Sequence, residues 1–100
     1  GNYLDASTIG AVSAGTWYFV VCWHDASANT INIQVNNGPV DSAGHSAGVF
    51  AGTAPVWFGQ SGYGSALNGR LDEVGFWKRV LTAPERASLY NAGSGLTYPF

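Results

Sequence analysis

The sequence predicts an all-β protein, an antiparallel jelly-roll β-sandwich present only in part, followed by one short C-terminal helix. Three observations carry that expectation. Residues 30–35 (TINIQV) alternate strictly, with Ile31, Ile33 and Val35 on one face and Asn32 and Gln34 on the other, as a strand with one wet face does. Turn formers frame that segment, Asp25-Ala26-Ser27-Ala28-Asn29 before it and Asn36-Asn37-Gly38-Pro39 after it. Thr82-Ala83-Pro84-Glu85 has capping-box spacing, in which the Thr hydroxyl accepts from the Glu amide and the Glu carboxylate reaches back.

The elements follow in chain order. Residues 16–24 (TWYFVVCWH) are apolar on both alternating faces, which suits a strand covered on two sides and paired with 30–35 as a hairpin. Residues 41–48 are small and polar and read as a surface loop, 55–60 (PVWFGQ) as a short strand, and 60–64 (QSGYG) as a loop. Residues 68–79 read as a long final strand, with Asp72, Val74 and Phe76 on one face and Leu71, Glu73 and Trp77 on the other. The helix is expected over 83–91, with Pro84 in its first turn and Gly93 as its stop. Trp17, Trp23 and Trp77 are assigned to core packing. About five or six strands fall short of the roughly eight of a closed jelly-roll, so apolar surface is left to be covered. The cover would come from a second copy, another chain or another segment.

Composition narrows the functional classes. The chain has 100 residues, 46% of them hydrophobic and only 10% charged, with a formal charge of −2. It therefore has the core content of one folded domain but no cationic surface for a nucleic acid, and no apolar run long enough to span a bilayer. Cys22 is the single cysteine and lies in an apolar run, as a buried small hydrophobe would. His24 and His45 stand in no zinc-ligand or nucleophile pattern and read as ordinary strand-end and loop residues.

Four segments together resemble a known family. They are Gly15-Thr16-Trp17, Val35-Asn36-Asn37-Gly38, Trp57-Phe58-Gly59, and a longer signature from Asn68-Gly69-Arg70-Leu71-Asp72-Glu73-Val74 through Trp77, Arg79-Val80-Leu81-Thr82, Glu85 and Leu89-Tyr90-Asn91. From Gly15 onward the sequence is similar to the C-terminal half of laminin G-like domains of the concanavalin A-like lectin/glucanase superfamily. The resemblance implies that residues 1–100 are a single domain fragment lacking the family's N-terminal strands, apart from an Asn2 to Leu4 remnant. It further implies a non-catalytic recognition module that binds glycans or a protein partner at an extracellular, virion or cell surface. Two alternatives stand beside it: a structural subunit of a virion, tail or filament that assembles as a homo-oligomer through its sandwich, and a fragment of a glucanase.

The candidate residues were weighed against that background. Glycoside hydrolysis needs two carboxyl groups about 5 to 9.5 Å apart, and no run of acids on one strand face supplies them; Asp72 and Glu73 are adjacent and point opposite ways. No catalytic residue is therefore assigned. For sugar binding, aromatic faces flanked by amides are suitable, which singles out Trp57, Tyr63, Gln60 and Asn68 around the Gly-rich loop. Asp72, alternating with Val74 and Phe76, is expected to face inward and to need a partner. The candidates are Arg70, backbone amides, or the structural calcium that related sandwiches hold, which takes hard oxygen ligands.

Overall fold

The alternating segment becomes the centre of a sheet. The structure, a computed structural model, describes residues 4–48, 52–60, 64–97 and 99. Strand β1 (Val20–Asp25) pairs antiparallel with β2 (Thr30–Val35), which pairs antiparallel with β3 (Val40–Gly44), in the order β1-β2-β3. Asp25 closes the first turn by accepting from the Ser27 and Ala28 amides at 3.0 and 3.1 Å. In the second, Asn36 and Asn37 both take positive φ, 52° and 54°, and the Gly38 amide donates to the Val35 carbonyl at 3.0 Å. That is the type I′ geometry whose twist matches the flanking strands.

The turn explains why residues 41–44 join the sheet, while 45–48 remain outside any strand as expected. Asp41, Ser42 and Gly44 are poor strand formers, but the I′ turn returns the chain alongside β2 and sets Gln34 opposite Val40 and Asn32 opposite Ser42. Turn geometry and ladder hydrogen bonds override propensity here.

Both sheet faces are partly covered: Val35 is buried as expected, but so are two residues of the expected wet side. Asn32 and Gln34 are each only 7% exposed, whereas Ile31 and Ile33 are half-buried. Every polar atom of the two amides is satisfied. Asn32 accepts from Ser42 Oγ at 2.6 Å and donates to Thr30 Oγ1 at 3.0 Å. Gln34 donates to the Gly38 carbonyl at 2.8 Å and accepts from Arg86 Nε at 2.8 Å. Burying an amide is costly only when it lacks partners, and among the described residues no buried side-chain polar atom does.

Helix α1 (Ala83–Tyr90) supplies the cover for that face, and its capping box is formed as the sequence predicts. Glu85 N donates to Thr82 Oγ1 at 3.3 Å, and Thr82 N donates to Glu85 Oε1 at 2.9 Å. The helix stops at Tyr90, one residue short of expectation, because Asn91 itself enters the left-handed region (φ 49°) and its side chain donates to the Gly95 carbonyl at 3.0 Å. Arg86 donates from Nη1 to the Leu81 carbonyl at 3.0 Å and stacks its guanidinium over Trp23, 4.3 Å from the ring centroid. Phe19 and Tyr90 meet at 5.8 Å between ring centroids, so the C-terminal end of the helix also rests on the approach to β1.

Glu85 has a second task. Arg79 Nη1 donates to its Oε1 at 2.7 Å and Nη2 pairs with its Oε2. The Arg79 guanidinium first, and the Thr82 amide second, hold the Glu85 carboxyl down at about 2. A carboxylate whose folded pKa lies below its unfolded value of about 4.3 stabilises the fold above that value and loses the contribution as pH falls through the folded pKa. Helical ellipticity is therefore expected to decline between about pH 4.3 and pH 2. In Glu85→Gln it should start lower and stay flat across that window. A wild-type curve as flat as the variant's would contradict the cap assignment.

Residues 55–60 and 68–79 do not form the expected strands. They carry only one bridge, between Gln60 and Ala66. Within the expected long strand Glu73 sits at φ 52°, where a non-Gly residue breaks an extended run, and Gly59 is left-handed at φ 74° in the other. Their apolar side chains are accordingly exposed, among them Val56, Phe58, Leu71, Val74 and Phe76. Trp17 is also exposed, since β1 begins only at Val20; Trp23 is half-buried beneath Arg86, and Trp77 lies at the border of exposure. Among the described residues the buried apolar core is Val35 and Leu81. The accessible surface is 7758 Å² for 10.5 kDa. A compact chain of that mass would show roughly 5,400 Å², so an excess of roughly 2,300 Å² remains open.

Candidate functional site

The sugar-binding candidates converge in part. The Gln60–Ala66 bridge, reinforced by the Leu67 amide donating to the Gly59 carbonyl at 2.6 Å, joins two short arms antiparallel. Gln60 lies at the end of one arm and Asn68 two residues beyond the bridge on the other, both exposed. Trp57, 52% exposed, precedes Gln60 on the first arm by three residues. Gly59 is needed between them: a Cβ there would approach Leu71 Cδ1 to 3.3 Å, on a backbone conformation that side chains rarely adopt. Tyr63, the candidate at the loop tip, lies outside the described residues. The two bridged arms thus carry an exposed indole and two exposed amides, residue types that can stack on a sugar ring and donate to or accept from its hydroxyls.

A second concavity lies on the other sheet face. Leu4, Cys22, His24, Ile31 and Ile33 line an open groove of about 460 Å³. Cys22, expected to be buried, is exposed on β1; partial desolvation by its neighbours still pushes the thiol pKa up, so the sulfur is protonated and weakly nucleophilic at neutral pH. The His24 and His45 rings meet edge to face at 5.5 Å, and His45 Nε2 lies 2.9 Å from the Gly48 carbonyl. Sequence reasoning did not single out this groove. Its signal, Ile31 and Ile33 sharing a face with Cys22 and His24, is the same as that of an ordinary packing face.

Three of the six described carboxylates are tied to structural duties. Asp25 closes a turn and Glu85 caps the helix. Asp41, on the groove side of β3, accepts from the Thr8 hydroxyl, from the Thr8 amide at 3.1 Å and from Ser7 Oγ at 3.4 Å. The Thr8 hydroxyl, followed by its amide, holds the Asp41 carboxyl below the usual range. These contacts fasten a 3₁₀ turn, Ser7–Ile9, against β3. Asp72 is exposed together with Val74 and Phe76, so the expected inward charge does not arise there. Among the described residues no group of three or more His, Cys, Asp and Glu side chains is placed to hold a metal ion. No helix among them is long and apolar enough to cross a membrane.

A family model described as the concanavalin A-like lectin/glucanases superfamily, of laminin G type, matches residues 1–85. The match starts at residue 1 rather than at Gly15 and ends within α1, so it takes in the 3₁₀ turn, the sheet, the bridged loop and the helix cap. No curated protein and no solved structure is significantly similar to the chain. With more than four-fifths of its residues matched, the chain belongs to the concanavalin A-like lectin/glucanases superfamily.

Proposed function

We propose that the chain is a non-catalytic recognition module that binds glycans or a protein partner at an extracellular, virion or cell surface, and that its three-stranded sheet is one layer of a jelly-roll sandwich. Family membership supports a carbohydrate- or protein-binding role. The observation that carries the glycan reading is that Trp57, Gln60 and Asn68 are all exposed on the two arms joined by the Gln60–Ala66 bridge. The absence of catalysis is inferred from the carboxylates: Asp25, Asp41 and Glu85 are occupied by backbone and side-chain donors, while Asp72 and Glu73 are neighbours on one exposed segment.

The test is a titration of tryptophan fluorescence with a panel of oligosaccharides, run with calcium and with chelator. A saturable change that is lost in Trp57→Ala and weakened several-fold in Gln60→Ala or Asn68→Ala is expected. Stacking on one aromatic face is worth about 0.5–1.5 kcal/mol beyond area burial, roughly a three- to tenfold change in affinity. Equal binding by wild type and Trp57→Ala would move the site elsewhere. Structural calcium at Asp72 rests on the family resemblance alone, since Asp72 is exposed and no cluster of three or more ligand side chains is placed around it among the described residues; a melting curve identical in calcium and chelator would remove it. Release of reducing sugar from a β-glucan would instead favour the glucanase reading.

The assembly reading, a structural subunit that packs against copies of itself, is supported by a different observation, the open area of roughly 2,300 Å². One partner of a standard interface hides about 800 Å².

A further inference from the structure

The two edges of the sheet are unlike. On β3 the 3₁₀ turn is fastened through Asp41 and lies against the strand. On β1, among the described residues, no strand pairs with the outer edge. The hydrogen-bond phase of the hairpin fixes which groups that edge presents. The Asn36 amide donates to the Phe19 carbonyl at 2.8 Å, so position 19 faces β2. By alternation positions 21 and 23 face β2 as well, and the backbone N–H and C=O of Val20, Cys22 and His24 point outward. This edge has no Lys, Pro or bulge, the devices by which natural edges avoid pairing.

We propose that β1 is a pairing edge, through which two copies of the chain join antiparallel about a twofold axis at Cys22, merging their sheets into one. The register follows from the outward groups. Centring on Cys22 places Val20 of each copy opposite His24 of the other and satisfies about six backbone hydrogen bonds; a shift to either side loses some of them. The same register sets Val21 opposite Trp23 and Phe19 opposite Asp25, so no acid meets an acid and only apolar or neutral side chains meet between positions 20 and 24. This self-complementarity is why the occupant is a second copy rather than an unrelated strand. The grooves of the two copies, each lined by Cys22 and His24, become continuous across the axis. The proposal deepens the assembly reading and is independent of the bridged loop, so its failure would leave the glycan titration untouched.

Cys22 provides the test. In a hydrogen-bonded antiparallel pair opposed Cα atoms lie about 5.5 Å apart, within disulfide reach. Diamide should therefore oxidise the two thiols to one disulfide, taking up their two protons and two electrons as it becomes the hydrazine, and give a reducible band of twice the chain mass. Sedimentation of the untreated chain at micromolar concentration should give the same doubled mass. Val20→Lys, at a position 51% exposed in the single chain, should be monomeric and at least tenfold slower to cross-link, with an unchanged circular dichroism spectrum. Val40→Lys on the opposite edge should remain a dimer. A monomer throughout, or a dimer that neither cross-links through Cys22 nor responds to Val20→Lys, would overturn the proposal. Should Val20→Lys fail to fold, sedimentation and cross-linking of the wild type decide the matter.

Discussion

Arg86→Ala is expected to destabilise the protein by about 2–4 kcal/mol, the largest effect of any single substitution outside the core. One guanidinium serves three partners: the Gln34 amide oxygen, the Leu81 carbonyl and the face of Trp23. Removing it strands the carbonyl of an amide that is only 7% exposed, and an unsatisfied buried acceptor costs about 1–3 kcal/mol by itself. The lost cation–π contact adds about 0.5–2 kcal/mol. Arg86→Lys would keep the charge but not the fork of donors, so it should recover less than half of the loss. Urea unfolding followed by tryptophan fluorescence would measure both. A loss below about 0.5 kcal/mol for Arg86→Ala, the usual range for a surface change, would mean that the amide face is not held by the helix.

Leu81→Ala is expected to cost about 2–3 kcal/mol, the lower part of the range for core truncations. Leu81 is 6% exposed and borders a groove of about 250 Å³ with Trp77 and Leu89 beneath α1. Because that space is open on one side, water or neighbouring side chains can enter the volume left behind, which keeps the cost below that of a sealed cavity. Its neighbour is the control: Val80 is 40% exposed, and Val80→Ala should change stability by less than about 0.5 kcal/mol. Equal losses at the two positions would show that the burial of Leu81 is not what anchors the helix.

These two side chains also mark where sequence reasoning reached and where it stopped. The β1–β2 hairpin, the turn at Asn36-Asn37 and the capped helix were legible because each is specified by residues within a few positions of one another. Strand β3 was missed because its residues have low strand propensity, and only the preceding turn forces them into the ladder. The strands expected over 55–60 and 68–79 rested on side-chain pattern alone. Pattern cannot report that Glu73 takes a left-handed φ or that no ladder partner lies alongside. The burial of the amide side of β2 was missed for a related reason. Its cover comes from Arg86, 52 residues from Gln34, and nothing local distinguishes an amide aimed at water from one aimed at a distant guanidinium. At the candidate site, the aromatic and amide residue types were readable, whereas the bridge that sets the two arms side by side was not.

The buried amides of β2 have a consequence for the order of folding. A hairpin closed by local turns can form early, but a slip by one residue would exchange its faces and present isoleucines to the helix. The turns penalise such a slip locally, and Arg86 adds a second penalty when it arrives to find Gln34 missing, through a contact that closes a loop of 52 residues. The C-terminal helix therefore acts as a late proofreader of strand alignment. A nascent chain that has emerged only as far as β3 already holds the turns that align its strands, and the last fifth of the sequence adds the contact that seals its amide face.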